Sequence, residues 1–215
     1  MWGWLAGVRK STRYERLYSQ SVGLGITETV REHAKRICDL QKEEHVIEAE
    51  LRELLADSRF DHYRTVFKKF GFGDRLSSVI ISQIYPIEGF LDASGKPLVK
   101  ILTGRNSKKP TKRHLSLRRF QKAIGAAPNL ESSGDRKKIL VVGGSDLCRK
   151  SLWQWVFTRI EPKRSRLKNE IGKILGEQLD TEKAAGRPVK LVRNRVAAKG
   201  ARLLFRELVK VLTND

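Results

Sequence analysis

Between Ile26 and Leu55 apolar side chains return every three or four residues. A repeat of that period, held for about four heptads, commits the segment to one long α-helix. Placing Val30, Ile37, Glu44 and Leu51 at heptad position a puts Ile26, His33, Leu40, Ile47 and Leu54 at position d. Seven of these nine seam positions are apolar. His33 and Glu44 are the polar exceptions, and such residues can fix register or partner at some cost in stability. The seam fits a coiled-coil or dimerisation helix over 26–60, between chains or as a hairpin. It also fits an amphipathic helix packed on its own domain.

Charge is the second constraint. The chain carries 44 Lys and Arg against 24 Asp and Glu, a formal net charge of +20, and its pI is near 10.3. The balance is uneven: Thr27 to Asp57 holds 5 basic and 9 acidic residues, whereas Lys100 to Glu170 holds 19 and 5. An acidic helical segment and a separate basic segment argue for a folded binding face rather than a uniformly charged tail. Polyanions are the partners such a face selects, and nucleic acid is the commonest of them. With 40% hydrophobic residues over 215 positions, the chain can build a core. Two cysteines and four scattered histidines show no metal or disulfide spacing. No apolar run approaches the roughly 20 residues of a membrane span, and MWGWLAGVRK lacks a signal-peptide layout. The expectation is a cytoplasmic protein with no membrane partner.

Along the chain, residues 1–25 read as a short aromatic, basic helix plus a connection. Two helices joined by Gly71-Phe72-Gly73 suggest a helix-hairpin-helix unit, with Leu76, Val79, Ile80 and Ile84 at helical spacing in the second. Turn amides there can hold a phosphate, though Gly-x-Gly between helices also serves as a plain turn. Residues 92–113 read as a loop or small hairpin insertion. Leu115 to Ile124 predicts a helix with Leu117, Phe120 and Ile124 inward and Arg118, Arg119 and Lys122 outward. Ile139 to Val142 predicts a strand, Ser151 to Ile160 a helix, and the stretch after Pro162 a basic helix through Leu175. Gly186-Arg187-Pro188 precedes a last helix from about Arg195 to Leu212. The fold class predicted is mainly α: a coiled-coil helix, then a small helical domain with a helix-hairpin-helix and a short β-strand element.

Residues 139–146, ILVVGGSD, end a strand in Gly-Gly-Ser, but they lack the third glycine and the Lys-Ser/Thr pair of a nucleotide-binding loop. The carboxylates crowd onto the heptad helix instead of converging from several strands, so no two-metal site is expected from this chain alone. Ser132, Ser133 and Gly134 form a tight-turn sequence, and such turns are commonly just turns. Arg118, Arg119, Arg136, Lys137, Lys138, Arg149 and Lys150 are the candidate nucleic-acid contacts around it. A serine attacking phosphorus needs cations on the developing charge. No histidine follows in the motif to act as its base.

Three stretches in order resemble one family. Phe70-Gly71-Phe72-Gly73-Asp74 followed by SSVIISQIYPIEGFL resembles a helix-hairpin-helix opening. LSLRRFQKAIGAAPNLESSG resembles a helix, a Gly-Leu-x-Pro turn and a Ser-Gly pair. VVGGSDLCRKSLW resembles a closing Gly, three residues, Arg, two residues and Leu, with four residues rather than three between Gly144 and Arg149. The family is the bacterial insertion-sequence transposases with an N-terminal RuvC-like domain of DEDD type and a C-terminal serine domain, the bridge-RNA-guided recombinases. The resemblance spans roughly 26–160. It implies DNA transposition, with Ser133 as the nucleophile, Ser132 as its near rival and Arg149 on a phosphate. It also implies DNA and guide RNA as partners, a second copy joined through the coiled coil, and a separate RuvC-like half. Mg²⁺ is expected only with that acidic half, and no cofactor within this chain. The domains so implied are 1–25 as the remnant of a preceding domain, 26–60 as the coiled coil, 61–162 as the serine transposase domain and 163–215 as a basic helical extension. The chain departs from the family at Ala126-Ala127-Pro128, where Gly-Leu is usual, and in its long 92–113 insertion. A non-catalytic nucleic-acid-binding protein is the alternative.

Overall fold

The computed structural model describes residues 1–21, 25–103, 109–127, 129–133, 136–140 and 143–213; for 129–133, 136–140 and 213 only the backbone is described. The fold is mainly helical, and the chain divides after Leu54 into two compact units.

In the first unit, α1 (Trp2–Leu5) and α2 (Thr12–Ser19) precede the long α3 (Glu28–Leu55). Two helices thus occupy the segment read as one short helix and a connection. Trp4 gathers them, its ring 6.0 Å from those of both Tyr14 and Tyr18. The 28 residues of α3 follow the heptad stretch, starting where Thr27 accepts from the Val30 amide at 3.4 Å.

The second unit opens with α4 (Asp61–Phe70) and α5 (Asp74–Ile84). A hairpin follows, β1 (Val99–Thr103) antiparallel to β2 (Pro110–His114), then α6 (Leu115–Ala123). A second hairpin pairs β3 (Asn129–Ser133) with β4 (Arg136–Leu140). Next come α7 (Asp146–Trp155), which runs on into a π-helical turn at Val156–Ile160, α8 (Glu170–Ala184) and α9 (Val189–Thr213).

Three helix boundaries differ from the sequence reading, each for a local reason. The helix read from Ser151 starts at Asp146, because the Ser145 hydroxyl accepts from the Cys148 amide at 3.2 Å. The basic helix read after Pro162 starts only at Glu170, where Asn169 caps by accepting from the Gly172 amide at 2.9 Å. The residues between are held irregularly by Arg166, which donates to the Ile160 carbonyl and grips Asp180 with both terminal nitrogens, at 2.8 and 3.0 Å. The last helix starts at Val189, directly after Pro188, whose carbonyl accepts the Val192 amide.

One core unites the second unit. Val66, Phe67 and Phe70 of α4, Ile80 and Ile84 of α5, Phe120 of α6, Leu152 and Trp155 of α7 and Leu175 and Leu179 of α8 are buried with a row from α9. That row is Val192, Val196, Ala201, Leu204, Phe205 and Leu208. The residues read as a C-terminal extension therefore supply central helices of this core. Two contacts show how closely they dock. The Trp155 indole donates to the Phe70 carbonyl at 2.9 Å, and its ring lies about where a Cβ on Gly200 would touch, at 3.0 Å. The Arg193 guanidinium covers the stacked Trp153 and Phe157 rings, 4.8 and 4.6 Å from their centroids.

Candidate nucleic-acid interface

Charge separates the two units. Residues 1–54 hold nine basic and nine acidic side chains, so the whole net charge of +20 falls on residues 55–215, with 35 basic against 15 acidic.

Many of those acids act as internal ties. Glu161 accepts from Arg193 at 2.6 Å and from Lys183 at 2.8 Å. Glu182 is gripped by Arg187 and Arg195, and Glu207 by Lys69 and Lys210. These partners hold the carboxyls of Glu161, Asp180, Glu182 and Glu207 below the ordinary carboxylate range: for Glu161 first the Arg193 bond, for Asp180 the Arg166 bond, for Glu182 the Gln178 bond and for Glu207 the Lys210 bond. A carboxyl depressed in the folded state contributes stability that is complete above its unfolded pKa and disappears as pH falls through the folded value. Thermal melts should therefore hold level from pH 7 to about 5 and fall steeply below about pH 4. A melting temperature unchanged down to pH 3 would show that these ties carry no weight.

The predicted basic residues divide into three groups. Arg118, Arg119 and Lys122 are exposed on α6, with Leu117 half-buried and Phe120 and Ile124 buried as the helical phase predicts. Arg119 donates to the Phe90 carbonyl at 3.3 Å. Arg149 and Lys150 both turn back onto Asp146, within the first turns of α7. Lys150, and with it Arg149, holds that carboxyl below its usual range. Two cations expected to face a phosphate are thus already bound to a carboxylate. Arg136, Lys137 and Lys138 lie on β4, where only the backbone is described.

The serines sit differently from the turn reading. Ser132 and Ser133 end strand β3, paired in backbone register with Lys137 and Arg136, and Glu131 pairs with Lys138. Gly134, the last residue of the predicted turn, residue 135 and the serine side chains lie outside the described residues. The base of this hairpin is a tight glycine clamp. α6 ends at Ala123, and the chain turns at Gly125 (φ 66°), where the Ala126 amide reaches back to the Gln121 carbonyl at 2.7 Å and the Gly125 amide to the Lys122 carbonyl at 3.0 Å. On the return side Gly144 (φ 71°) lies against that same turn, and the Ser145 amide donates to the Ala123 carbonyl at 2.9 Å. A Cβ on Gly144 would stand 1.6 Å from the Lys122 oxygen.

The sequence reading missed the basic side of α9. Arg195, Lys199, Arg202, Arg206 and Lys210 recur at three- and four-residue steps on that helix. Its ends are tied, by Arg195 to Glu182 and by Lys210 to Glu207. Lys199, Arg202 and Arg206 have no ion-pair partner among the described residues. α6 lies alongside: Gln121 donates to the Ala198 carbonyl at 3.2 Å, and the Phe120 and Phe205 rings meet at 5.1 Å. Arg118 and Lys122 flank Gln121 on one side of this junction, as Lys199 and Arg202 flank Ala198 on the other. α6 has no carboxylate, and the single one on α9, Glu207, is occupied. The signal was present in the i, i+4, i+7 spacing of the cations.

At the Gly71-Phe72-Gly73 turn the two glycines have different tasks. Gly71 is left-handed (φ 62°) with Leu167 packed where its Cβ would be, and Phe72 rests on Phe67, Phe70 and Trp155. Gly73 precedes α5 in extended backbone, with no side-chain cap and open space around it.

Among the described residues no group of three or more His, Cys, Asp and Glu is placed to hold a metal ion. No helix among them is long and apolar enough to cross a membrane. No protein-family model, curated protein or solved structure matches the chain.

Proposed function

We propose that residues 55–215 form a nucleic-acid-binding unit whose contact face is built from α6 and α9. The observation that carries this reading is the surplus of cations on that face: Arg118, Lys122, Lys199, Arg202 and Arg206 have no acidic partner among the described residues. Neighbouring carboxylates are engaged elsewhere. A phosphate backbone meets such a face by releasing its condensed counterions, so affinity must fall steeply with salt. The test is binding of the chain to a labelled DNA duplex between 50 and 300 mM salt. Five phosphate contacts give a log–log slope of about −4.5, at about 0.9 per contact. Absence of binding at 50 mM, or a slope near zero, would reject the reading.

A more specific function, DNA strand transfer in transposition, is favoured by the backbone register at the end of the second hairpin. Ser133 and Ser132 pair there with Arg136 and Lys137. In that reaction the Ser133 Oγ bonds to phosphorus, its proton leaves, and a deoxyribose oxygen departs from the same phosphorus. Guide RNA and a separate acidic half supplying Mg²⁺ belong to this version of the proposal, as the resemblance implies. Ser133→Ala should then abolish covalent DNA–protein linkage, assayed with such a half present, and leave affinity unchanged. Linkage that persists in Ser133→Ala and vanishes in Ser132→Ala would move the role to the neighbour. Persistence in both would remove it from this hairpin.

A further inference from the structure

The β1–β2 ribbon rises from the start of α6 and exposes both of its faces. It is tied at its base, where the Leu98 carbonyl accepts the Leu115 amide at 3.0 Å and the buried Ser116 hydroxyl accepts the Leu98 amide at 2.8 Å. Nine of its ten strand residues are exposed, and Arg113 is half-buried. Three of the nine are aliphatic: Val99 is 41% exposed, Ile101 66% and Leu102 50%. A two-stranded ribbon that buries neither face is marginal by itself in water. Register adds a second cost, because Lys100 lies directly opposite Arg113 and like charges so placed repel. Resting on the nucleic-acid reading above, we infer that this ribbon lies in the major groove of duplex DNA, with its Val99–Ile101 face on the base edges.

Charge selects the partner. Residues 93–130 hold ten Lys and Arg and no Asp or Glu. A second copy of the ribbon would add like charge to like, whereas phosphates on both rims of a groove neutralise it. Size selects the duplex. The major groove of B-form DNA is about 12 Å wide and admits a two-stranded ribbon, while that of an RNA duplex is deep and narrow and shuts it out. Side-chain alternation selects the face. Cross-strand partners share a face, so Val99, Ile101 and Thr103 stand with His114, Lys112 and Pro110. All six are exposed, and the half-buried Arg113 belongs to the other face. Aliphatic and threonine side chains suit thymine methyl groups, and a lysine suits guanine O6 and N7.

Thymine methyls project into the major groove alone, so the experiment removes them. Binding of the full chain is measured at 50 mM salt on a duplex of A·T pairs and on the same duplex with uracil for thymine. Each methyl covered is worth about fourfold in affinity, so the wild type should favour the thymine duplex by about four- to sixteenfold. Val99→Ser with Ile101→Ser should bind both duplexes as the wild type binds the uracil one. Both positions are exposed, so this double variant should melt within about 2 °C of wild type. Equal wild-type affinity for the two duplexes overturns the proposal and leaves the α6–α9 face standing. A thymine preference that survives in the double variant also overturns it, by placing the methyl contact elsewhere. Absence of binding to either duplex rejects the α6–α9 reading, and the ribbon's role with it. A wild-type chain that sediments as a larger species than the double variant, or that alone of the two floats with anionic vesicles, overturns the proposal too. Those results would give the aliphatic side chains to a second copy or to a lipid surface.

Discussion

Replacing Gly144 by alanine should unfold residues 55–215 at a temperature about 4–20 °C below wild type. Two costs add. Gly144 has φ 71°, a left-handed conformation that costs an L-residue about 1–2 kcal/mol. The new methyl would also stand 1.6 Å from the Lys122 carbonyl oxygen and 2.9 Å from the Gly125 amide nitrogen. Both neighbours are backbone in the capped end of α6, so neither can swing aside as a side chain would. Forcing them apart costs a further 1–3 kcal/mol at about the level of an overpacked core. Together the loss is about 2–5 kcal/mol, and each kcal/mol lowers the midpoint by about 2–4 °C in a unit of this size. Gly73→Ala is the matched control. Its φ is −83° and nothing lies within 4 Å of its Cβ, so its melting should stay within about 2 °C of wild type. Coincident melts of Gly144→Ala and wild type would mean that the clamp at the hairpin base does not exist in solution.

That clamp also marks how far the sequence could be read. The Gly-Gly pair was legible as a turn, because glycine is the residue that accepts positive φ. What it turns against was not, since Lys122 and Gly144 are brought together by tertiary packing. Periodicity sufficed wherever one face of a helix is buried: it gave α3 within two residues, and it gave the inward and outward faces of α6. Caps set the starts of α7 and α8, and the Ser145 and Asn169 signals stood in the sequence unused. Ser-Ser-Gly was read as a turn from local propensity, yet cross-strand pairing draws both serines into β3. Ion-pair partners were the least legible feature. Asp146 lies three and four residues before Arg149 and Lys150, a spacing that on a helix brings opposite charges together. That spacing becomes decisive only once α7 is known to begin at Asp146.

The same partnerships decide which cations matter for a polyanion. Changing Lys199, Arg202 and Arg206 together to glutamine should lower the affinity for duplex DNA by about two orders of magnitude at 100 mM salt, and flatten the log–log salt slope by about 2.7. Arg202 and Arg206 are exposed and Lys199 is half-buried, and none of the three has an ion-pair partner among the described residues. The triple variant should therefore melt within about 2 °C of wild type. Arg149→Gln with Lys150→Gln gives the contrast. Those two side chains neutralise Asp146, and a phosphate would have to displace that carboxylate before gaining either charge. Their removal should move the slope by less than one contact, about 0.9. The opposite ranking, a large loss from the α7 pair and none from the α9 triple, would transfer the contact face to the serine hairpin and its neighbours. Equal, small losses from both would mean that the charge of residues 55–215 acts as a diffuse field with no face of its own. Isothermal binding of one duplex to the three proteins, repeated at four salt concentrations, separates these outcomes.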